Sequence, residues 1–176
     1  MSNVWFCSDL HLGHKNIQKF RTPLVDSMEM NTQRILNDWN THVTKRDIVF
    51  VLGDFCFNEE LYNTLDLPGQ TKYLIRGNHD RFTTKTYLNF FNEVEGIVKY
   101  KGMWLSHAPV HPDELRGKPN IHGHVHYGTI RKPFNPIYDV TQEYDPRYFN
   151  CCPENLWPKY GRCMVTLDEL RQHFVL

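Results

Sequence analysis

No apolar run in this chain approaches the roughly 20 residues that a membrane span requires. Neither sign of charge is in excess, since Lys plus Arg number 20 and Asp plus Glu also number 20. Bulk capture of duplex nucleic acid or an anionic membrane is therefore not expected, although a small, locally positive site is compatible. The five cysteines, Cys7, Cys56, Cys151, Cys152 and Cys163, form no CxxC pair, and two of them are neighbours. That spacing argues against a disulfide framework or a thiolate zinc site and fits a reducing cytoplasm. The stretch from Met1 to Asp9 has no basic segment and too short an apolar one for a secretory leader. Internal repeats and low-complexity tracts are also missing. What is there is an ordinary globular composition, 40% apolar and 23% charged, in 176 residues. That length is most simply one domain spanning residues 1–176. Histidine, which occurs ten times, is the anomaly.

The apolar pattern predicts strands that stop in polar loops. Val4 to Cys7 ends at Ser8-Asp9, and Ile48 to Leu52 ends at Gly53-Asp54. The second run has no polar alternation, which predicts a strand covered on both faces. Lys72 to Ile75 ends at Arg76-Gly77-Asn78. Ile97 to Tyr100 and Met103 to Leu105, split by Lys101-Gly102, predict a hairpin that ends at Ser106-His107. Asn120 to His122 is a shorter strand ending at Gly123-His124. Helical spacing links Thr32, Ile35, Leu36, Trp39 and Val43, with Asp26 or Ser27 as N-cap. Shorter helices are expected over 58–65 and 84–91. Thr166 to Glu169 matches a capping box that opens a last helix, after a strand over 163–165. Alternating strands and helices imply an α/β fold with parallel members. The stretch from Arg131 to Pro158, rich in Pro, Asn, Asp and Tyr, reads as one long loop.

All five strand ends carry a metal-binding residue type: Asp9 with His11, Asp54, Asn78 with His79, His107, and His124 with His126. Sites in α/β proteins assemble at the carboxyl ends of strands. Carboxylate, amide oxygen and imidazole suit Mn²⁺, Fe, Zn²⁺ or Ni²⁺. Each residue also has a structural reading. Asp after a strand is a common turn former, and His124 and His126 could simply share one strand face. The convergence of all five ends favours a metal site.

The blocks Asp9-Leu10-His11, Gly53-Asp54, Gly77-Asn78-His79-Asp80, His107 and Gly123-His124-Val125-His126 resemble, in order, those of the calcineurin-like metallophosphoesterases. The longer strings from Ser8 to His14 and from Ile75 to Asp80 are similar to small, cap-less bacterial and phage members. The resemblance implies a four-layer α/β/β/α sandwich of two mixed sheets. It implies two divalent ions, Mn²⁺ first among them. Asp9, His11, Asp54 and His126 would hold one, and Asp54, Asn78, His107 and His124 the other, with Asp54 shared. Attack by a hydroxide between two metals would then cleave a phosphoester. His79 would contact phosphate together with Asn78 and protonate the leaving alkoxide, and Asp80 would orient the His79 ring, a helix N-cap being its structural alternative.

His14 and Arg81 are further candidates for substrate contact, as are Arg76, Arg131 and Lys132, each of which could equally be a surface charge. Tyr138, Tyr144, Arg147 and Tyr148 could stack a nucleobase or pack a loop. His122 is expected to pack near the site, and His42, His111 and His173 to be surface or structural. A phosphodiester, such as a nucleotide or short nucleic acid, is preferred as substrate because an open pocket admits groups on both sides of phosphorus. A phosphomonoesterase is the alternative, and a non-catalytic interaction scaffold the reading from a different class. No membrane or protein partner is expected.

Overall fold

The computed structural model describes residues 2–132 and 143–175. Two sheets form the centre. The first contains β1 (Val4–Cys7), β2 (Ile48–Val51), β3 (Thr71–Ile75), β4 (Glu93–Glu95) and β9 (Val165–Thr166), in the order β4-β3-β2-β1-β9. Strands β1 to β4 are parallel, and β9 runs antiparallel to β1. The second contains β5 (Ile97–Tyr100), β6 (Met103–Ser106), β7 (Asn120–His122) and β8 (Tyr148–Asn150), in that order. The β5–β6 hairpin is antiparallel, whereas β6, β7 and β8 are parallel. The chain is thus a mixed α/β sandwich of two mixed sheets.

The uninterrupted apolar run of β2 is explained by what lies on each face. Val49 and Val51 join Trp5, Cys7 and Leu74 in a core shared with Ile35 and Trp39 of α2 (Met28–His42). Tyr62 of α3 (Glu59–Asn63) and Tyr87 of α4 (Thr84–Tyr87) complete that layer. Phe50 and Leu52 point the other way, with Phe6 and Ile75, onto Met103, Leu105, Ile121 and Phe149 of the second sheet. The outer face of the second sheet carries the segment around a 3-10 turn at Pro112–Glu114. There the Trp104 indole donates to Leu115 O, and the Tyr148 hydroxyl donates to Val110 O. No helix of the described residues is long and apolar enough to cross a membrane.

Local signals set the element ends. Ser27 caps α2 by accepting from Met30 N at 3.0 Å. The capping box at Thr166 and Glu169 opens α6 (Leu167–Phe174). The expected loop over 131–158 is corrected, because its described part holds β8 and α5 (Pro153–Tyr160). Pro153 sits in the first turn of α5, where its missing N–H costs nothing, so a residue that read as a loop marker starts a helix. Tyr138 lies outside the described residues.

Candidate metal centre

Parallel pairing puts the carboxyl ends of β1, β2 and β3 side by side, and the parallel β6–β7 pair brings its ends to the same edge. Backbone bonds stitch the loops together: Asp9 N donates to Gly53 O at 2.9 Å, His11 N to Asp54 O at 2.9 Å, and Gly123 N to His107 O at 2.9 Å. The His107 ring spans the two sheets through Nδ1 and Leu52 O, 2.8 Å apart. A carbonyl only accepts, so Nδ1 carries the hydrogen of that bond and Nε2 is the nitrogen turned toward the loops.

The seven expected ligands, Asp9, His11, Asp54, Asn78, His107, His124 and His126, converge as two groups. In the first, His11 Nε2 lies 3.5 Å from Asp9 Oδ1 and 3.6 Å from Asp54 Oδ2, and His126 Nε2 lies 3.9 Å from Asp9 Oδ1. In the second, His107 Nε2 lies 3.6 Å from Asp54 Oδ2 and 2.8 Å from Asn78 Oδ1. His124 Nδ1 lies 3.1 Å from Asn78 Oδ1 and 3.2 Å from His107 Nε2. Asp54 Oδ2 belongs to both groups.

These residues fit cations on three grounds. Ligands about 2.1 Å from one ion stand about 3.0 Å apart in an octahedron and about 3.4 Å in a tetrahedron. The spacings here are of that size. Asp9 Oδ1 and His11 Nε2 are buried without a hydrogen-bond partner, which is costly unless a cation satisfies them. Asn78 Oδ1 stands 2.8 Å from His107 Nε2 and 3.1 Å from His124 Nδ1, so an amide oxygen and two imidazole nitrogens face one point, a donor set that suits a cation. Burial lowers the pKa of the His11 ring, against the pull of Asp9 and Asp54. Burial opposes the charge of Asp9, but the neighbouring His11 and His107 rings and the Ser8 hydroxyl outweigh it and hold the carboxyl well below the usual carboxylate range. Asp9, His126 and Cys152 also cluster. Burial holds the Cys152 thiol well above its ordinary pKa, so it serves Asp9 Oδ2 as a donor at 3.2 Å.

The backbone is strained where it presents these groups. Asp9, His11, Asp54, His124 and His126 all have positive φ, between 49° and 70°. Such conformations cost about 1–3 kcal/mol each and persist only where the surroundings over-determine them. The surroundings do so here. His124 N donates to Asp9 Oδ2 at 2.8 Å, and His126 O accepts from the side chains of Asn150 and Asn155, each at 2.7 Å. A Cβ on Gly123 would collide with the side chains of Ser8 and Asp9, which is why glycine precedes His124.

The resemblance found in the sequence extends to direct comparison. The family model for calcineurin-like phosphoesterases matches residues 2–167. The chain belongs to that family. It is 41% identical to the gene 66 protein of Mycobacterium phage L5, with 72% of this chain and 78% of that protein covered. It is 31% identical to MJ1445 of Methanocaldococcus jannaschii, with 72% and 70% covered. A crystal structure of AQ665 from Aquifex aeolicus matches with a TM-score of 0.67 at 24% identity, covering 98% of this chain and 99% of that one, and shows the shared fold.

Other expected residues of this phosphoesterase fall less uniformly. The His79 ring is half-buried, 5.5 Å from Phe57 and 6.2 Å from His11, and its backbone N donates to Asp54 Oδ1 at 2.9 Å. His14 stacks on Phe57 at 4.5 Å beside the first group. Arg81 is exposed and lines neither cavity beside the cluster. Arg76 lines one of them, yet its guanidinium bonds Asp80 O and Phe82 O. Arg147 pairs with Asp145, and Tyr148 is buried. His122 is fully packed, with burial pushing its pKa down to about 4. Asp80 turns toward the backbone. Its carboxylate accepts from the backbone N–H of Asp54, Phe55 and Gly77 at 2.8, 3.0 and 2.8 Å, and from the Tyr87 hydroxyl at 3.3 Å. Its printed bonds thus go to the backbone that carries Asp54 and to Tyr87. It is not a helix cap, since Thr83 caps α4.

Sequence reasoning missed a buried support. Arg21, in α1 (Gln18–Arg21), is fully buried and donates to Glu154 at 2.8 Å, Asn31 at 2.6 Å and Leu10 O at 3.2 Å, with Asp9 O as a further acceptor. Glu154 in turn accepts from His126 Nδ1 at 2.9 Å, fixing that ring with Nε2 toward Asp9. Burial opposes the Glu154 charge, but His126 and Arg21 outweigh it and hold its pKa down. Arg21 and Glu154 are 133 positions apart, so no local pattern joins them.

Proposed function

We propose that this phosphoesterase is a phosphodiesterase acting with two divalent cations, Mn²⁺ first among them, on small cytoplasmic diesters such as nucleotides or short oligonucleotides. One observation carries the reading. The donor groups share Asp54 Oδ2, and a cavity opens on each side of them. One, about 430 Å³, is bordered by His11, His79 and His126, and the other, about 640 Å³, by Asn78, His107 and His124. A diester places a substituent on each side of phosphorus, and two flanking cavities suit two substituents.

Two divalent ions supply Lewis acidity toward phosphoryl oxygens and lower the pKa of bound water. The chain's own residues do the rest. Asp54 accepts at Oδ1 from the His79 N–H, which ties the shared carboxylate to the loop that carries His79. The His79 ring, in the wall of the smaller cavity, hands a proton to the departing alkoxide oxygen. The buried, free cysteines suit a reducing compartment, which supports the cytoplasmic part of the proposal.

The test combines metal analysis with hydrolysis of matched aryl diester and monoester substrates under added Mn²⁺. About two ions per chain and faster diester turnover are expected. Faster monoester turnover makes the chain a phosphatase. Absence of both metal and turnover leaves an interaction scaffold and defeats the proposal.

A further inference from the structure

The two flanking cavities are chemically unlike. Among the described residues the larger has no Phe, Tyr or Trp in its wall, and it is bordered by Arg76, Ile97 and the segment 108–110. The smaller is built on aromatic faces. Phe57 lies 4.9 Å from His11 at 20° and 4.5 Å from His14 at 29°. Phe20 lies nearly parallel to His14, 6.3 Å away, and to His126, 6.4 Å away. Phe20 is 56% exposed, so one part of its ring packs toward these imidazoles while the rest faces the open cavity. Exposed Asn16 and Lys19 lie alongside.

Phe20 is also held in place. Its neighbour Arg21 is locked by Glu154, Asn31 and two backbone carbonyls, so α1 is anchored one residue from the ring. A fixed, half-open aromatic face loses little freedom when another ring stacks on it.

We infer that the smaller cavity is the leaving-group subsite, and that it takes an alcohol bearing an aromatic ring, such as a nucleoside, stacked on Phe20. The inference rests on the diesterase reading and deepens it by giving the cleavage a direction. His79 borders this cavity and not the other. Water's oxygen forms a new bond to phosphorus, and the bond from phosphorus to the aromatic alcohol breaks with its electron pair. His79 gives the alkoxide its proton, and the proton lost by water restores His79 through solvent. The other substituent stays on phosphorus in the larger cavity. Asn16 and Lys19 supply donors for polar atoms at the edge of a heteroaromatic ring.

A mixed diester tests this directly. In 2-phenylethyl 2-cyclohexylethyl phosphate the two alkoxides have similar basicity and bulk and compete within one molecule. Release of 2-phenylethanol should exceed that of 2-cyclohexylethanol by about three- to ten-fold, the size of a stacking preference. Phe20→Ala and Phe20→Leu should each bring the ratio to about one, with metal content unchanged. Equal release by the native protein, or a bias that survives Phe20→Ala, overturns the subsite while the diesterase reading stands. Should neither alcohol be released, the diesterase reading fails, and saturation-transfer NMR of 2-phenylethanol on the Zn²⁺-loaded protein decides the subsite alone. Saturable transfer that disappears in Phe20→Ala supports it. Transfer that persists in that variant, or none with the native protein, overturns it.

Discussion

Replacing Asp80 with Asn separates two roles that one carboxylate could play. In the structure Asp80 Oδ2 takes the N–H groups of Asp54 and Gly77, and Oδ1 takes that of Phe55 and the Tyr87 hydroxyl. An asparagine can keep its oxygen on Asp54 and Gly77. Its NH₂ must then face the Phe55 N–H, donor against donor. Leaving one buried N–H unmet costs about 1–3 kcal/mol, and turning two charge-assisted bonds into neutral ones costs about 0.5–1.5 kcal/mol each. The sum is about 2–6 kcal/mol. At about 2–4 °C per kcal/mol for a chain of this size, the thermal midpoint falls by about 4–24 °C.

The damage should reach the metal centre, because Asp54 has a φ of 53° and its N–H bond to Asp80 is part of what holds it there. The assay is thermal unfolding of the metal-free protein together with a Mn²⁺ titration followed by electron paramagnetic resonance. Asp80→Asn should lower both the midpoint and Mn²⁺ affinity, and turnover should recover in part at high Mn²⁺. A variant with native midpoint and native affinity but slow turnover and a displaced pH profile would refute this reasoning. It would mean that the carboxylate acts on the His79 ring after all.

Three further outcomes follow from the same contacts. His79→Ala keeps the backbone N–H that holds Asp54, so alkyl-diester turnover should drop by about 10²–10⁴-fold with metal content intact, and parallel loss of metal would show a ligand instead. Glu154→Gln removes the anionic partner of both His126 and Arg21, and should weaken Mn²⁺ binding by about 10–100-fold in the same titration. Glu169 has its pKa lowered because Arg162 and the Thr166 N–H and hydroxyl outweigh its burial. Its contribution to stability is therefore complete above the ordinary value of 4.5 and is lost as pH falls through the lower folded value. The thermal midpoint of Glu169→Gln should lie below the native one at pH 7 and approach it in acid, and a constant gap would count against that contribution.

How much could be read in advance depended on how local each signal was. Strands β1, β2 and β3 of the first sheet were legible as apolar runs, because β2, for one, must be apolar on both faces when helices cover one and a second sheet the other, whereas β4, Glu-Val-Glu at the sheet edge, offered no such run. The α2 and α6 starts were legible because Ser27 and Thr166 bond groups three residues away. The short β8 and α5 were not, since Pro, Asn and Asp there look like loop markers until pairing with β7 is known. Arg21 and Glu154 carried no mark at all, because an ion pair across 133 positions exists only after folding.

The candidate ligands stood out for a reason that also dissolves the rivalry between their two readings. An Asp or His at the end of a strand can be a turn former or a metal ligand, and the two look like alternatives in the sequence. At five of the seven positions the residue is placed to be both. Asp9, His11, Asp54, His124 and His126 reverse the chain through positive φ, a conformation Asp and His tolerate better than most residues. The same reversal swings their side chains into the space between the two sheets' ends. Asp80, the Asn150 and Asn155 amides and the Arg21–Glu154 pair then hold the strained turns against relaxation. Removing a support should therefore weaken cation affinity more than removing an ordinary buried contact of equal energy, because the strain it restrains is located in the ligands themselves.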